Sequence, residues 1–297
     1  MPGRRALVTG AGGFVGANLV RRLLADGHRV TAMIGPASAD DRLAGLADVE
    51  IVRCDLRDGE AVEAAARRAR PEWVFHLAAH GAYSWQRDPV RIFETNTLGT
   101  VHLVEATRDA EAFVHAGSSS EYGLKDHPPA EDEPISPNSH YAVAKSAATL
   151  WLAQLPRGVT LRLYSVYGPW EESGRLMPTL VDHALRGTLP PLVDPRIARD
   201  FVFVDDACDA LVRAVDAPAG AIYNVASGRQ TTLAELVEVV RDEFAVSEEP
   251  RWNTMAPRDW DTATWVGDPA RIAADLGWTA TTELRAGLRA LGGWLRS

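Results

Sequence analysis

A glycine-rich turn near the start of the chain constrains the fold more than any other feature. Residues 10–16 read Gly10-Ala11-Gly12-Gly13-Phe14-Val15-Gly16. An apolar, β-prone run over 5–10 feeds the turn, and helical spacing over 14–26 leaves it and stops at Gly27. A reversal this tight needs positions without a Cβ, both for the turn and for packing helix on strand. The alternation then repeats. Residues 29–34, 49–54, 73–79 and 112–118 read as strands, with helical patterns over 61–70 and 88–110. Continuous apolar strands separated by helices imply parallel βαβ units and a sheet covered on both faces.

The expected fold is therefore α/β, a doubly wound parallel (Rossmann) sheet over residues 1–165 with a smaller C-terminal substrate-binding lobe. Residues 125–139 are rich in proline and charge and read as a loop. A helix over 141–155 and a strand over 159–165 follow. Beyond Gly168 the chain is rich in Pro and Gly, with helices expected over 176–186, 205–214 and 233–244. Residues 166–297 should supply most of the lobe, and 201–222 should return to the main domain. The net charge of −9 argues against a nucleic-acid partner, which needs a basic face. The two cysteines, Cys54 and Cys208, form no CxxC pair, so neither a disulfide framework nor a metal site is expected. No apolar run is long enough for a signal peptide or a membrane span, so a cytoplasmic protein with no membrane partner is expected.

Two further segments carry chemistry. In Tyr141-Ala142-Val143-Ala144-Lys145, the i,i+4 spacing puts phenol and ammonium on one helix face. An ammonium beside a phenol favours the phenolate and makes tyrosine a usable general acid/base. Only two of the 31 basic residues are lysines, Lys125 and Lys145, so a lysine here stands out. The run Gly117-Ser118-Ser119-Ser120-Glu121-Tyr122-Gly123 ends the fifth strand. Ligands of doubly wound sheets sit beyond such strand ends, where a serine hydroxyl can bond a reacting oxygen. The turn at 10–16, facing a helix N-terminus, suits a dinucleotide pyrophosphate. Bland readings are expected elsewhere: packing for His76 and His80, and a solvated loop for residues 131–133.

These segments, with HLAA at 76–79, Asn96, SVYGP at 165–169 and RDFVFVDD at 199–206, occur in one order along the chain. In that order it resembles the extended short-chain dehydrogenase/reductases, in particular the nucleotide-sugar epimerases, 4,6-dehydratases and 4-ketoreductases. The resemblance implies a catalytic set of Ser118, Tyr141 and Lys145. It implies cofactor contacts from Gly10, Gly13, Phe14, Val15, Gly16, Asp55, Leu56, Ala78, Ala79, Asn96, Tyr141 and Lys145. Substrate contacts are expected from Ser119, Ser120, Ser165, Arg175, Arg199 and Arg258, the arginines gripping a diphosphate by bidentate hydrogen bonds. Where the dehydratases carry an acid and a base, this chain has Ser119 and Ser120, which disfavours dehydration. Residues 31–38 offer no carboxylate for an NAD ribose, so NADP is favoured over NAD, with Arg42 or Ser38 toward the 2′-phosphate. The implied activity is NAD(P)-dependent hydride and proton transfer at a nucleotide-diphosphate sugar, at C4, as 4-ketoreductase or 4-epimerase. The alternatives are a dehydrogenase of a non-sugar alcohol and a non-catalytic NAD(P)-binding regulator. A homodimer is the expected assembly.

Overall fold

The computed structural model describes residues 3–83, 85–256 and 261–297. The chain runs β1 (Arg5–Thr9), α1 (Phe14–Ala25), β2 (Arg29–Ile34), β3 (Val49–Arg53), α2 (Gly59–Ala69), β4 (Trp73–His76), α3 (Pro89–Phe93), α4 (Gly99–Ala106) and β5 (Ala112–Ser118). It continues with α5 (His140–Leu152), β6 (Gly158–Leu163), β7 (Ser165–Tyr167), α6 (Leu176–Leu185), β8 (Ala198–Arg199), β9 (Phe201–Phe203) and α7 (Val204–Arg213). The last elements are β10 (Ile222–Val225), β11 (Thr231–Thr232), α8 (Leu233–Phe244), α9 (Ala270–Leu276) and α10 (Leu284–Leu295).

Seven parallel strands form the main sheet in the order β10-β6-β5-β4-β1-β2-β3. The order reverses beside β1, which opens the crevice where ligands of such sheets bind. Alternate β1 side chains serve the two faces. Ala6 and Val8 pack with Leu19, Val20 and Leu23 of α1 and with Ala207 and Leu211 of α7. Leu7 packs on the other face with Val62 of α2 and Leu103 and Val104 of α4. This doubly wound arrangement is the one the alternating pattern implied.

Three details depart from the simple pattern. The stretch expected as one helix over 88–110 is divided: a π-type turn at Glu94–Leu98 separates α3 from α4. Strand β9 pairs with β7 in a separate two-stranded sheet, while α7 packs on α1 and the segment enters the main sheet only at β10. Glu131, expected in solvent, is buried; it accepts from the Asn224 backbone N–H at 2.8 Å and lies 3.5 Å from Arg271.

A second core, with Met177, Leu180, Leu236, Val237, Leu288 and Leu291, joins α6, α8 and α10. Asp200 lies between this lobe and the sheet, fully buried. Its carboxylate accepts from the backbone N–H groups of Ser227, Gly228 and Gly267 and from the Ser227 hydroxyl, at 2.6–3.1 Å. A buried carboxylate persists when its oxygens are bonded in this way.

Candidate active site

The turn after β1 forms a cradle. Gly10 has φ +67°, and a Cβ there would lie 2.6 Å from the Ala78 backbone nitrogen. A Cβ at Gly16 would lie 2.2 Å from the Gly10 carbonyl oxygen. Gly13 is the N-cap of α1 and brings no side-chain cap, so the donors of the first turn, Phe14 and Val15 included, stay open to a ligand. Ala78 and Ala79, at the end of β4, sit beside Gly10 and are partly or fully exposed. This geometry fits a dinucleotide pyrophosphate: close backbone approach on one side and helix donors on the other.

Toward the adenosine end, Asp55 already holds Arg57 through both oxygens at 2.6–3.1 Å. Leu56 is buried, and its carbonyl oxygen meets His102 Nδ1 at 2.9 Å. At the end of β2 a Cβ on Gly35 would meet the Ser38 hydroxyl at 2.8 Å. Each nitrogen of the Arg42 guanidinium has a partner. It donates to the carbonyls of Trp170 (2.8 Å) and Gly12 (3.2 Å) and to Glu172 (2.9 Å).

At the nicotinamide end of the crevice, Asn96 is buried within the π-type turn. Its side chain accepts from the His80 N–H and donates to the His80 carbonyl, both at 2.7 Å. A π-turn re-aims one side chain without ending the helix, and here that side chain pins the loop after β4. Thr100 donates to the Asn96 carbonyl at 2.7 Å and is 2.9 Å from His76 Nε2. The Thr100 proton is thus used, so His76 donates from Nε2 and accepts at Nδ1 from Thr9, at 2.7 Å. His76 therefore has the packing and hydrogen-bonding role expected of it. Burial holds it neutral and pushes its pKa down to about 3, with Lys145 adding to the effect.

Ser118 ends β5 and caps the short turn that follows. Its Oγ is 2.7 Å from Ser120 Oγ and accepts from the Ser120 N–H at 3.2 Å. Its side chain also favours the ionised form of the Tyr141 phenol. Ser119 turns away from this contact and lines a small cavity with Tyr122, Lys125, Tyr164 and Trp265. Glu121 completes a capping box by accepting from the Ser118 N–H at 2.9 Å. The same carboxylate accepts from Thr149 Oγ1 (3.1 Å) and Arg162 Nε (3.0 Å), both buried. It is thus spent on three donors beneath the site.

Tyr141 and Lys145 do lie on one face of α5, but the ammonium does not act on the phenol as expected. Lys145 Nζ donates instead to His115 Nε2 at 2.7 Å. Burial, reinforced by Glu121, pushes the Tyr141 phenol up to about 12, while the Ser118 side chain and the charge of Arg175 oppose the rise. Burial brings Lys145 down to about 8, with Glu121 opposing. The correction has a plain cause: a buried ammonium needs an acceptor, and the His115 imidazole supplies one.

Arg175, at the N-cap of α6, stands over the Tyr83 ring at 5.8 Å and 3.9 Å from Glu171. Glu171 was not foreseen. It is buried, Oε2 has no hydrogen-bond partner among the described residues, and burial raises its pKa to about 8. Arg199 donates to the Ala198 carbonyl at 2.6 Å, is 3.4 Å from Asp261, and stands over Trp265 at 5.7 Å. Ser165 pairs in register with Phe201 in the small sheet. The structure thus brings Ser118 and Ser120 together, with Tyr141 and Lys145 on α5, which packs against β5 and the turn after it; Arg175 stands with Tyr83 and Glu171. Arg199 joins the Ser119 cavity through Trp265. Arg258 lies outside the described residues. Among the described residues no His, Cys, Asp and Glu cluster could hold a metal, and no helix is long and apolar enough to cross a membrane.

A glycine cradle at the crevice of a seven-stranded parallel sheet, with Ser, Tyr and Lys at the adjoining strand end, defines a dinucleotide-dependent enzyme of the short-chain dehydrogenase/reductase class. Residues 6–226 match the NAD dependent epimerase/dehydratase family, and the chain belongs to it. A UDP-glucose 4-epimerase of Mycolicibacterium smegmatis is 34% identical, the alignment covering 96% of each chain. A dTDP-glucose 4,6-dehydratase of Xanthomonas campestris is 28% identical over 97% of this chain and 92% of that one. Among solved structures, the UDP-glucose 4-epimerase of Thermus thermophilus in complex with NAD superimposes with a TM-score of 0.88 at 31% identity, covering 99% of both chains. The Thermotoga maritima UDP-glucose 4-epimerase with UDP-glucose gives 0.89 at 26% identity, covering 98% of both. The chain is thus an NAD(P)-dependent enzyme of nucleotide-sugar modification.

Proposed function

We propose that this enzyme is a nucleotide-sugar 4-epimerase that keeps NAD in its site. The observation that carries the reading is the fate of the carboxylates after β5. Ser119 and Ser120 stand where a dehydratase would need acid and base, and Glu121 is consumed by Ser118, Thr149 and Arg162. Proton transfer at a single hydroxyl oxygen is what this wall can support. The likeness to UDP-glucose 4-epimerases over nearly the whole chain favours epimerase over reductase.

NAD bound along the turn at residues 10–16 would supply a reversible hydride acceptor. The chain's own part is proton chemistry at the sugar O4. Tyr141 takes the hydroxyl proton and later returns it, and Ser118 bonds the same oxygen. Lys145, held on one side by His115, keeps two further donors, which would bond the cofactor ribose, and its charge would favour the phenolate. Arg175 and Arg199, with Arg258 further along the chain, would grip the diphosphate. The choice of NAD over NADP rests on Arg42: its guanidinium is held in place by Gly12, Trp170 and Glu172. The exposed Val90, Phe93, Leu98, Val143 and Leu150 lie on α3, its continuation and α5, and fit a homodimer face.

The test is direct. Purified enzyme, with its retained nucleotide identified after denaturation, is given UDP-galactose and UDP-glucose separately. Interconversion without added cofactor, together with released NAD, supports the proposal. A 4-keto-6-deoxy product from dTDP-glucose, or turnover only with added NADPH, defeats it.

A further inference from the structure

His115 is an unusual tenant for its position. It sits inside β5, a central strand of a parallel sheet, among Phe113, Val114 and Ala116. Such strands are covered on both faces and are normally apolar throughout. A buried imidazole is tolerated where its nitrogens are bonded. Here Nε2 accepts from Lys145 Nζ at 2.7 Å, so Nδ1 carries the proton and faces Thr160 Oγ1 at 3.4 Å. The ring also stacks on His76, centroids 5.5 Å apart and planes inclined by 28°. His76, His115 and Lys145 are all essentially inaccessible to solvent. The imidazole is therefore held on two sides, with one lone pair aimed at the lysine.

We propose that His115 is a positioning residue for Lys145: it stabilises the charged ammonium at the floor of the site and fixes where it stands. The inference rests on Tyr141 and Lys145 being the proton-transfer pair. The charged and titratable groups facing Lys145 are His115 from β5, His76 from β4, Glu121 from the turn after β5, and Tyr141 from its own helix. Glu121 is already matched by Arg162. Both histidines are held neutral by burial, and His76 uses its two nitrogens on Thr9 and Thr100. His115 is thus the neighbour that accepts directly from the ammonium. A hydrogen bond to a charged group has a strength equivalent to about one to two pH units of proton affinity.

The chain's two lysines make the test clean. Protein carrying 13C at the lysine ε-carbon gives two side-chain signals, and Lys125→Arg identifies that of Lys145. The titration midpoint of Lys145 is then read directly, whether or not the enzyme turns over. In His115→Leu the midpoint should fall by about one to two pH units, and the alkaline limb of kcat/KM should fall with it. His115→Gln, whose amide oxygen can still accept, should recover much of the shift. His115→Phe, closer in shape to imidazole, serves if the leucine variant does not fold. An unchanged Lys145 midpoint in the apolar variants overturns the proposal, as does an equal shift in His115→Gln. A merely structural histidine would lower thermal stability and leave the midpoint in place. Failure of the catalytic reading would appear separately, as an active Tyr141→Phe enzyme.

Discussion

Replacing Glu121 with leucine would leave Arg162 charged in a site where both side chains are almost wholly buried, at 0% and 2% exposure. Three donors lose their acceptor at once: Arg162 Nε, Thr149 Oγ1 and the Ser118 N–H. An orphaned buried charge costs about 3–5 kcal/mol, and the two neutral donors fall within that range at about 1 kcal/mol each. For a chain of this size each kcal/mol corresponds to about 2–4 °C, so Tm should drop by on the order of 10 °C. The partner variant decides the cause. Adding Arg162→Met removes the stranded charge, and the double variant should sit within about 1–2 kcal/mol of wild type, the residue of the two neutral losses. Urea unfolding of wild type, both single variants and the double variant closes a double-mutant cycle. A Glu121→Leu cost below about 1 kcal/mol, or strictly additive single effects, would refute a buried pair that depends on mutual neutralisation.

Tyr141→Phe should cut turnover by about 10²–10⁴-fold while leaving retained NAD unchanged; equal loss of nucleotide would mean the phenol acts on binding. Gly16→Ala places a methyl 2.2 Å from the Gly10 carbonyl and should yield folded protein largely free of NAD, read from nucleotide content after denaturation. Stability should fall as pH drops below about 6.5, because His76 and His115 have folded-state pKa values depressed by burial and the unfolded chain binds their protons first. Each contributes a slope of about 1.4 kcal/mol per pH unit, and urea unfolding that is flat between pH 5 and pH 6.5 would contradict it.

The sheet was legible because apolar strands alternated with helices all the way to residue 118, and parallel βαβ units admit few other solutions. The break at Glu94–Leu98 was not legible: a π-turn changes hydrogen-bond register, and side-chain periodicity hardly registers one extra residue. The Tyr141/Lys145 pair could be read from spacing alone, since i,i+4 fixes a common helix face. The partner of Lys145 could not, because His115 looks like any strand residue and lies 30 positions away. Glu121 in the Ser-rich run gave no sign in sequence that it turns inward; its capping box with Ser118 explains why it does. Glu171 gave no signal, because burial of a loop carboxylate depends on how the lobe folds over it. Arg42 was legible as a basic residue near the ribose, but its engagement with Trp170 depends on a contact across 128 positions.

Asp200 bears on the order in which the nascent chain can become native. Its four donors come from Ser227, Gly228 and Gly267. The carboxylate is buried between the lobe and the last strand of the sheet, so that junction cannot close until residue 267 has left the ribosome. At about 5–20 residues per second, the seven strands are all synthesised several seconds before the chain can seal its own seam. A product ending at residue 226 would contain every strand of the main sheet and none of the donors that neutralise Asp200. Such a fragment should be held as an unfinished client by chaperones rather than accumulate as an independent domain.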